Sequence, residues 1–308
     1  MPESVTDATV TPVKMHPDQV DISAGTVAAL VASQFPEWRA LPIVPVPSDG
    51  TVNALFRLGD DIVLRFPLRP AAGEERRQEL ADEQENARRV RRHVPLPVPE
   101  PLGLGRPGPG YPGFWSLSRW IPGRTVTPRE MGDPDVFAAD LAGFVTAVHA
   151  IDTEGRVWNG RSRGGPLHLA DAEVRQALRA SGRLTDTGRL ARIWDECRDA
   201  PAGAGPGVWL HGDLMPGNLL VRDGRLAAVI DLGAMAVGDP AVDLMPAWNL
   251  LPASARETYR RALAVDDATW QRGRGWALVQ AIMALPYYVD TNPAMAATAR
   301  HTLDALLA

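Results

Sequence analysis

Residues 208–244 read VWLHGDLMPGNLLVRDGRLAAVIDLGAMAVGDPAVDL, and this stretch carries the strongest pattern in the chain. Two apolar runs, 219–221 and 226–230, flank the pair Asp223-Gly224. An Asp-Gly pair between apolar runs is typical of the two-residue turn of a β-hairpin. The stretch therefore predicts a hairpin that brings together the residues just before its first strand and just after its second.

Residues with oxygen-bearing side chains lie at the open end of this hairpin. Folding about the turn places residue 219 roughly opposite residue 228. Asn218 and Asp231 therefore emerge at the same end, and Asp213 lies a short loop away. Each of these residues alone is also common in turns. Together they suit phosphoryl transfer, in which one aspartate accepts the proton of an attacking hydroxyl while an asparagine and a second aspartate hold Mg²⁺ on the nucleotide phosphates.

The motifs HGDLMPGNLL, VIDLG and GDPAVDL, in this order, resemble those of the aminoglycoside/macrolide phosphotransferase family. The resemblance extends from about residue 25 to about residue 290. It implies a protein-kinase-like fold and a bacterial small-molecule O-kinase. Leu232 stands where the related pattern usually has Phe, and the position is apolar in either case.

The resemblance assigns roles to the residues of the hairpin region. It implies that Asp213 is the catalytic base and that His211 orders the catalytic loop. It also implies that Asn218 and Asp231 are the Mg²⁺ ligands and that Asp243 supports the catalytic loop.

The chain before residue 122 predicts a small β-rich lobe. The charged segment 74–93 is rich in helix formers and predicts an exposed helix. A Pro- and Gly-rich run at 94–113 predicts extended or loop structure. A further helix is predicted within 18–35, with Asp21 or Ser23 as its cap. Runs rich in Leu, Val, Ile and Phe predict strands at 43–46, 54–58, 61–66 and 114–121.

The chain beyond the linker Pro122-Gly123-Arg124 is predicted to be mainly helical. Asp133-Pro134 is a typical helix start, and the apolar residues that follow it recur at helical spacing. We therefore expect an α+β, bilobal protein-kinase-like fold. Its lobes are 1–121, with 1–17 as a frayed tail, and 122–308. Other helices are predicted at 169–180, 186–198, 254–264, 267–285 and 293–307.

The loop at residues 48–53 joins two predicted strands of the small lobe. By position it would lie over the nucleotide phosphates and offer backbone N–H groups to them. An ordinary hairpin loop would have the same appearance, because the segment has a single glycine. The candidate nucleotide-binding residues in it are Ser48, Gly50, Thr51 and Asn53.

An arginine takes the place where kinase-like folds usually have a lysine. That lysine lies on the third strand and holds the α- and β-phosphates. Here the strand DIVLRFP has Arg65, and the only lysine, Lys14, lies in the tail. A guanidinium can bind phosphate with two hydrogen bonds, although a surface arginine remains the alternative. Glu83 is its predicted carboxylate partner, with Glu79 and Glu85 as alternatives.

By the same resemblance, the segment Ser118-Arg119-Trp120-Ile121 is the hinge between the lobes. The adenine or guanine of ATP or GTP is expected to bond to its backbone. Arg119, Trp120 and Ile121 are therefore candidate nucleotide-binding residues. Trp120 could stack on the base, but packing at a lobe junction is the alternative.

Composition limits the possible partners and the compartment. The 308 residues are 45% apolar and 22% charged, which is ordinary for a globular protein. A net charge of −5 is unusual for a nucleic-acid binder, and the chain has no apolar run long enough to cross a membrane. The single cysteine, Cys197, cannot form an internal disulfide. We expect a cytoplasmic monomer or homodimer that binds neither nucleic acid nor membranes.

The predicted reaction is transfer of the γ-phosphoryl group of ATP or GTP to a hydroxyl of a small, possibly cationic molecule, with Mg²⁺. The resemblance implies an aminoglycoside- or macrolide-type antibiotic as acceptor. A sugar, choline-like or amino-alcohol kinase is one alternative, and a nucleotide-binding regulator with a degenerate site is another. A protein kinase is disfavoured because Asp231 is followed too closely by GDPAVDL for a long activation segment.

The acceptor side of the site is the least constrained by sequence. Four aromatic residues of the C-terminal helices are candidates for an acceptor pocket, although core packing is the commoner role. Three acidic residues could face a cationic acceptor, although exposed helix-end carboxylates are the commoner explanation. These residues are Trp270, Trp276, Tyr287 and Tyr288, and Asp266, Asp267 and Asp290.

Overall fold

The computed structural model of the chain describes Lys14, His16, and residues 18–203 and 205–308. Most of the expected tail at 1–17 therefore lies outside the described residues. His16, at its end, is buried. The prediction of a frayed tail is wrong for this residue, because its ring is held by hydrogen bonds to two other parts of the chain.

A five-stranded antiparallel sheet forms the first part of the molecule, with strand order β1-β2-β3-β5-β4. Four of its strands match the predicted ones to within two residues at each end. The additional strand, β4, lies in the Pro- and Gly-rich run, where it occupies an edge and needs few ladder hydrogen bonds. The strands are β1 (Ile43–Val46), β2 (Asn53–Leu58), β3 (Ile62–Pro67), β4 (Pro101–Gly105) and β5 (Trp115–Arg119).

Helix α1 (Ala24–Gln34) packs on this sheet around an aromatic core. Of the two predicted caps, Ser23 is the one used, with its Oγ accepting from the N–H of Thr26 at 3.1 Å. The rings of Phe66 and Trp115 stack with their centroids 4.7 Å apart. These contacts give the small sheet its own hydrophobic core.

Helix α2 (Glu74–Arg91) joins the sheet to the rest of the molecule. It was expected to be exposed, but four residues on one face are buried: Leu80, Gln84, Ala87 and Val90. Gln84 donates to the carbonyl of Gly103 in β4 at 2.6 Å, and Ala87 and Val90 belong to the larger core. The sequence prediction missed this buried face because only about one residue in each helical turn belongs to it and most of the others are charged.

The hairpin predicted at 219–230 is present, next to a second antiparallel pair. Asp223 and Gly224 both have positive φ, 54° and 75°, as the predicted turn requires. A bulge between Leu220 and Val221 changes the register, so Leu219 faces Val229 and not residue 228. The strands are β6 (Arg124–Thr125), β7 (Val208–Leu210), β8 (Leu219–Arg222), β9 (Arg225–Val229) and β10 (Ala236–Gly238), with β6 on β8 and β10 on β7.

The remaining described residues are mainly helical, as expected. Helix α8 continues three residues beyond its predicted end and includes Pro286 in its last turn. The start predicted at 169 is a 3₁₀ turn, Leu167–Ala170, that precedes α4. The helices are α3 (Pro134–His149), α4 (Asp171–Ala180), α5 (Thr187–Arg198), α6 (Pro246–Asn249), α7 (Ala253–Ala262), α8 (Asp267–Tyr288) and α9 (Pro293–Leu307).

The structure thus has a small antiparallel-sheet part followed by a larger helical part, which is the predicted arrangement. The larger core is formed mostly by α3 to α9 and the hairpin strands, with α2 contributing from the other side. None of the described helices is long and apolar enough to cross a bilayer.

Candidate active site

Two strand pairs hold the predicted catalytic residues at one place. Strand β7 leads directly into His211, and β9 leads through Ile230 into Asp231. The N–H of Ile230 donates to the carbonyl of Asn218 at 2.9 Å, which joins the two ends of the hairpin. Asp213, Asn218 and Asp231 therefore meet at the open end of the hairpin, as the sequence predicted.

The carboxylate of Asp213 receives three side-chain hydrogen bonds. Asn218 Nδ2 donates to its Oδ2 at 3.2 Å and to its backbone carbonyl at 2.8 Å. Arg163 Nη1 and Gln280 Nε2 both donate to Oδ1, at 2.5 and 2.8 Å. Sequence reasoning missed Arg163 and Gln280, since they come from a loop and a helix far away along the chain and form no local motif with Asp213.

His211 organises the loop and does not face the cleft. Its ring is buried, and its Nε2–H donates to the carbonyl of Ile230 at 3.1 Å. Its Nδ1 accepts the backbone N–H of Asp213 at 3.2 Å. These two bonds require the neutral tautomer with the proton on Nε2. The His211 ring therefore links the backbone at Asp213 to the end of the hairpin, and the role in ordering a catalytic loop that the resemblance implies stays a prediction.

Asp243 supports the same loop from below. Its carboxylate accepts the backbone N–H groups of His211 and Gly212, each at 2.9 Å, and the Nε2–H of His149 at 3.1 Å. Tyr259 donates to its backbone carbonyl at 2.7 Å. Burial by itself would raise the pKa of Asp243, but the hydrogen bonds from His149 and Gly212 hold it below its usual value. The buried carboxylate is therefore ionised and fixes the backbone at 211–212.

Arg65 lies between two carboxylates. Its Nη1 donates to Glu83, and its Nη2 donates to Asp231 Oδ1 at 2.9 Å. Burial alone would lower the pKa of Arg65, but the charges of Glu83 and Asp231 raise it above its usual value. The two alternative partners of Arg65 point elsewhere, because Glu79 pairs with Arg76 and Glu85 with Arg88 on the helix surface. The predicted contact between Arg65 and Glu83 is thus present.

Asp231 has a backbone conformation that few residues other than glycine adopt, with φ 63° and ψ 72°. Its carboxylate contacts Arg65. Burial opposes ionisation, but Arg65 lowers the pKa of Asp231 below its usual value. Its carboxylate is therefore charged at neutral pH and suited to a divalent cation.

The donor set of Asn218 and Asp231 fits Mg²⁺. Asn218 uses its amide nitrogen on Asp213, so its amide oxygen is the atom left for a cation. In the described part of the chain no cluster of three or more His, Cys, Asp or Glu residues forms a metal site. Mg²⁺ commonly binds through one or two protein oxygens and completes its shell with water and substrate phosphates.

The loop at 48–53 is tied to the helical part. The backbone carbonyl of Thr51 accepts a hydrogen bond from His16 Nε2 at 2.7 Å. The other ring nitrogen, His16 Nδ1, lies 2.8 Å from the hydroxyl oxygen of Tyr287. The Gly50 N–H donates to Ser48 Oγ at 3.0 Å, so this predicted phosphate donor is used within the loop. Asn53 begins β2, opposite Pro67. The sequence missed His16 as the anchor of this loop, and the position of the loop over the nucleotide phosphates stays a prediction.

Two of the three predicted hinge residues use their N–H groups within the protein. The N–H of Arg119 donates to the backbone carbonyl of Glu100 at 2.8 Å. The N–H of Trp120 donates to the backbone carbonyl of Asp61 at 2.7 Å. The guanidinium of Arg57 lies 4.9 Å from the centre of the Trp120 ring. The Trp120 ring therefore packs against Arg57, as the packing alternative predicts, and Ile121 follows it, partly exposed.

A small recess lies between α8 and α9. Gln280 lines this recess and also donates a hydrogen bond to the Asp213 carboxylate. None of the described residues that line it carries a charge, and most are small or apolar. The lining residues are Met215, Ala277, Gln280, Ala281, Ala284, Met295, Thr298, Ala299 and Thr302.

The aromatic and acidic candidates of the acceptor side have mostly structural contacts. Trp276 is buried, and Trp270 packs on Trp248, with ring centroids 4.8 Å apart. Asp266 caps α8, and Asp267 pairs with Arg260. The commoner explanations therefore hold for these four residues. Tyr287 is half exposed and contacts Tyr288 edge to face.

Comparison with known proteins gives a family and two antibiotic-modifying relatives. The sequence profile of the phosphotransferase enzyme family matches residues 43–276. Aminoglycoside 3'-phosphotransferases of Escherichia coli and Salmonella typhimurium are each 27% identical over 143 residues, which is 44% of this chain and 52% of theirs. The chain thus spans about half the length of these curated relatives.

Solved structures match over almost the whole molecule. The GDP and kanamycin complex of APH(2")-IIia superimposes with a TM-score of 0.65 and 18% identity, covering 91% of this chain and 98% of that one. The macrolide 2'-phosphotransferase MphH from Brachybacterium faecium gives a TM-score of 0.57 and 23% identity, with 90% and 97% covered. These likenesses establish the predicted kinase-like fold.

Proposed function

The chain belongs to the phosphotransferase enzyme family, and from this premise we propose that it transfers the γ-phosphoryl group of ATP or GTP to a hydroxyl of a small molecule. The observation that carries the proposal is the meeting of Asp213, Asn218 and Asp231 at one end of the hairpin, with Arg65 against Asp231. A general base, a cation-binding pair and a phosphate-binding guanidinium are the parts that phosphoryl transfer requires.

Each side chain has a separate task in this reaction. Asp213 orients the acceptor hydroxyl and accepts its proton, and His211 and Asp243 keep the Asp213 loop in place. Asn218 and Asp231 would hold Mg²⁺, which supplies positive charge to the β- and γ-phosphates when it is bound. A degenerate, purely regulatory site is disfavoured because all of these side chains are present.

The nucleotide is proposed to lie between the sheet and the hairpin. Arg65 takes the role that a lysine has in other kinase-like folds and contacts the phosphates. The loop with Ser48, Gly50, Thr51 and Asn53 covers the phosphates. The base is proposed to contact the segment Arg119-Trp120-Ile121 through the backbone groups that the carbonyls of Asp61 and Glu100 leave free. GDP complexes of structural neighbours are compatible with GTP as well as ATP.

An aminoglycoside- or macrolide-type antibiotic is the proposed acceptor, because relatives and structural neighbours bear these names. We expect a cytoplasmic monomer or homodimer. Its Cys197 is buried, and burial raises the pKa of this thiol to about 12, so the thiolate needed for disulfide chemistry is scarce.

Mass spectrometry of an acceptor panel tests the proposal. Aminoglycosides, macrolides, tuberactinomycins, sugars and amino alcohols are incubated with protein, Mg²⁺ and ATP or GTP. One acceptor is expected to gain a single phosphoryl group. Asp213→Asn is expected to slow transfer by about 10²–10⁴-fold, because the variant cannot accept the hydroxyl proton.

Nucleotide affinity provides the control for this experiment. Asp213→Asn should bind the Mg²⁺-nucleotide as tightly as the wild type, because the phosphates are held by other residues. Full transfer activity in Asp213→Asn would contradict the mechanism. A panel without any phosphorylated acceptor, together with a wild type that fails to bind nucleotide, would contradict the function itself.

A further inference from the structure

Arg163 occupies the acceptor side of the Asp213 carboxylate. It lies on the loop between α3 and α4, and its Nη1 donates to Asp213 Oδ1 at 2.5 Å and to the carbonyl of Gly212 at 2.8 Å. Its side chain is 41% exposed, so it can move without unpacking a core. The guanidinium therefore covers Oδ1 of the proposed base.

The loop that carries Arg163 is held at both ends. Gly164 has φ +98°, and a Cβ on it would lie 2.7 Å from Leu210 Cδ1, so only glycine fits against β7. Its carbonyl accepts the N–H of Asp239 at 2.9 Å. Before Arg163, Asn159 Oδ1 accepts the backbone N–H of Ser162 at 2.8 Å. Residue 163 is thus anchored at its backbone while its side chain points to the catalytic loop.

The hydrogen bonds of Asp213 make one of its donors exchangeable. Among the described residues, Arg163 and Gln280 donate to Oδ1, and Asn218 donates to Oδ2. A carboxylate has about four lone-pair positions, so a substrate hydroxyl can donate to Oδ2 beside Asn218, whereas room at Oδ1 is gained when one of its two donors moves away. Gln280 is held on a helix and Asn218 in the hairpin. Arg163 lies on a loop and has an exposed side chain, so it is the donor that can leave.

The carboxylates that face Arg65 and Arg163 indicate which group Arg163 would bind once it leaves Asp213. The guanidinium of Arg65 already faces two carboxylates, Glu83 and Asp231, which balance its charge. Arg163 faces the single carboxylate of Asp213, whose charge is lost when it takes the hydroxyl proton. The transferred phosphoryl group must lie within reach of both the hydroxyl and the cation held by Asn218 and Asp231. An arginine next to a transferring phosphoryl group stabilises its charge strongly.

We propose that Arg163 is a catalytic arginine supplied within the same chain, which pairs with Asp213 in the free protein and binds the transferred phosphoryl group during the reaction. The proposal rests on the proposed function. The acceptor oxygen bonds to the γ-phosphorus, and the bond to the β,γ-bridging oxygen breaks with its electron pair left on the nucleoside diphosphate. The hydroxyl proton passes to Asp213, and Arg163 stays protonated throughout.

Steady-state kinetics of three variants test the proposal. Arg163→Ala is expected to lower kcat by about 10²-fold, because a donor to the developing charge is lost. The KM for nucleotide should change little, because Arg163 acts on the transferring group and not on the bound ground state. Arg163→Lys should recover part of the rate, since it keeps the charge. Arg161→Gln, an exposed neighbour on the same loop, is the matched control and should behave as the wild type.

Two further readouts separate catalysis from a purely structural role. Added guanidinium ion should raise the rate of Arg163→Ala severalfold and leave the wild type unchanged, since the free cation can fill the vacated position. Arg163→Ala should also bind the nucleoside diphosphate, Mg²⁺ and fluoroaluminate together more weakly than the wild type, while its affinity for the diphosphate alone is unchanged. A structural role would not produce either difference.

The possible outcomes distinguish this proposal from the proposed function. A wild type that transfers phosphate together with an equally active Arg163→Ala overturns the role of Arg163 and leaves the function intact. A wild type that phosphorylates no acceptor counts against the function. Fluoroaluminate affinity then still tests Arg163, and equal affinity in both proteins overturns it. Loss of rate without guanidinium rescue and without a change in fluoroaluminate affinity also overturns it.

Discussion

The carboxylates of Asp231 and Asp213 each contact an arginine, yet the two pairs differ in nearly everything else. Arg65 has a side chain only 16% exposed, comes from a central strand and is shared with Glu83. Arg163 is 41% exposed, comes from a loop and faces Asp213 alone among the carboxylates of the described residues. In the proposed mechanism, the pair of Arg65 is therefore fixed on the nucleotide side and the pair of Arg163 is exchangeable on the acceptor side.

Burial explains this difference. Removing a charge from a buried network leaves the other charges unpaired, so the arrangement of Arg65, Glu83 and Asp231 resists change. An exposed pair is screened by water and gains little, so it can be exchanged at low cost. The nucleotide side needs a cation that stays in place, whereas the base has to be released to the acceptor hydroxyl. Each pair suits the task proposed for it.

The largest expected effect comes from Asp243, on which both pairs depend through the 211–212 backbone. Asp243→Ala is expected to lower the free energy of unfolding by about 3–5 kcal/mol, because His149 and two backbone N–H groups lose their buried acceptor. Urea denaturation at neutral pH measures this. Asp243→Asn, which keeps one acceptor oxygen, is the milder variant. A loss of unfolding free energy as small as that of a surface aspartate would show that the backbone at 211–212 does not depend on Asp243.

The pH dependence of stability follows from the same carboxylate. The folded-state pKa of Asp243 is lowered, so its contribution is fully present above its unfolded pKa, about 3.9, and is lost as the pH falls through the folded value. Wild-type stability should therefore fall in acid more steeply than that of Asp243→Asn. Unfolding curves between neutral and acidic pH test this, and parallel curves for the two proteins would contradict it.

Arg65→Gln is the next largest change and tests the fixed pair. Without the guanidinium, Glu83 and Asp231 both face the phosphates with unbalanced charge, so kcat/KM for the nucleotide is expected to fall by about 10²-fold. Arg65→Lys should fall less, although one compact ammonium cannot serve both carboxylates as well. Arg76→Gln on the surface of α2 is the control. An equal loss in Arg76→Gln would mean that only net charge matters.

A smaller effect is expected for Gln280, the other donor to Asp213 Oδ1. Gln280→Leu replaces the amide with an apolar side chain of similar volume and removes one hydrogen bond, which should slow transfer by about tenfold or less. Gln271→Leu changes the same helix at a site that bonds to Glu196 and should not slow transfer. If Gln280→Leu slows transfer more than Arg163→Ala does, the fixed donor matters more than the exchangeable one.

The smallest effect is expected for an Arg–Asp pair outside the site. Arg225 makes two hydrogen bonds of 2.6 Å to Asp140 on the surface, with geometry as good as that of either catalytic pair. Arg225→Ala should leave activity unchanged and shift Tm only slightly, because the pair is exposed. Thermal unfolding and the transfer assay measure this. A shift in Tm as large as that of Arg65→Gln would show that burial does not separate the pairs.

Much of the site could be predicted because it is local in the chain. The Asp-Gly turn joins Asn218 to Asp231 through a hairpin of a dozen residues, and its geometry depends on that segment alone. The bulge makes the predicted strand register wrong by one residue, but Asn218 and Asp231 still lie at the same end of the hairpin. Glu83 could be selected because helical spacing places it on the inner face of α2.

Other residues of the site could not be predicted because they arrive through tertiary packing. Arg163 and Gln280 lie 50 and 67 residues from Asp213 along the chain, and His16 lies 35 residues from Thr51. The sequence predicts free backbone groups at Arg119 and Trp120, but the carbonyls of Glu100 and Asp61 accept their N–H groups in the folded chain. No periodicity or short motif records such contacts.

The sequence by itself determined the kinase-like pattern of strands and helices, the carboxylate and amide set at 213–231, and the replacement of a lysine by Arg65. Those features follow from local turn chemistry, side-chain alternation and residue identity. Only the tertiary structure decided which cation faces each aspartate and how deeply it is buried. Burial depends on how the sheet, the hairpin and the helices pack together, and the proposed fixed role of Arg65 and exchangeable role of Arg163 rest on the different burial of these two arginines.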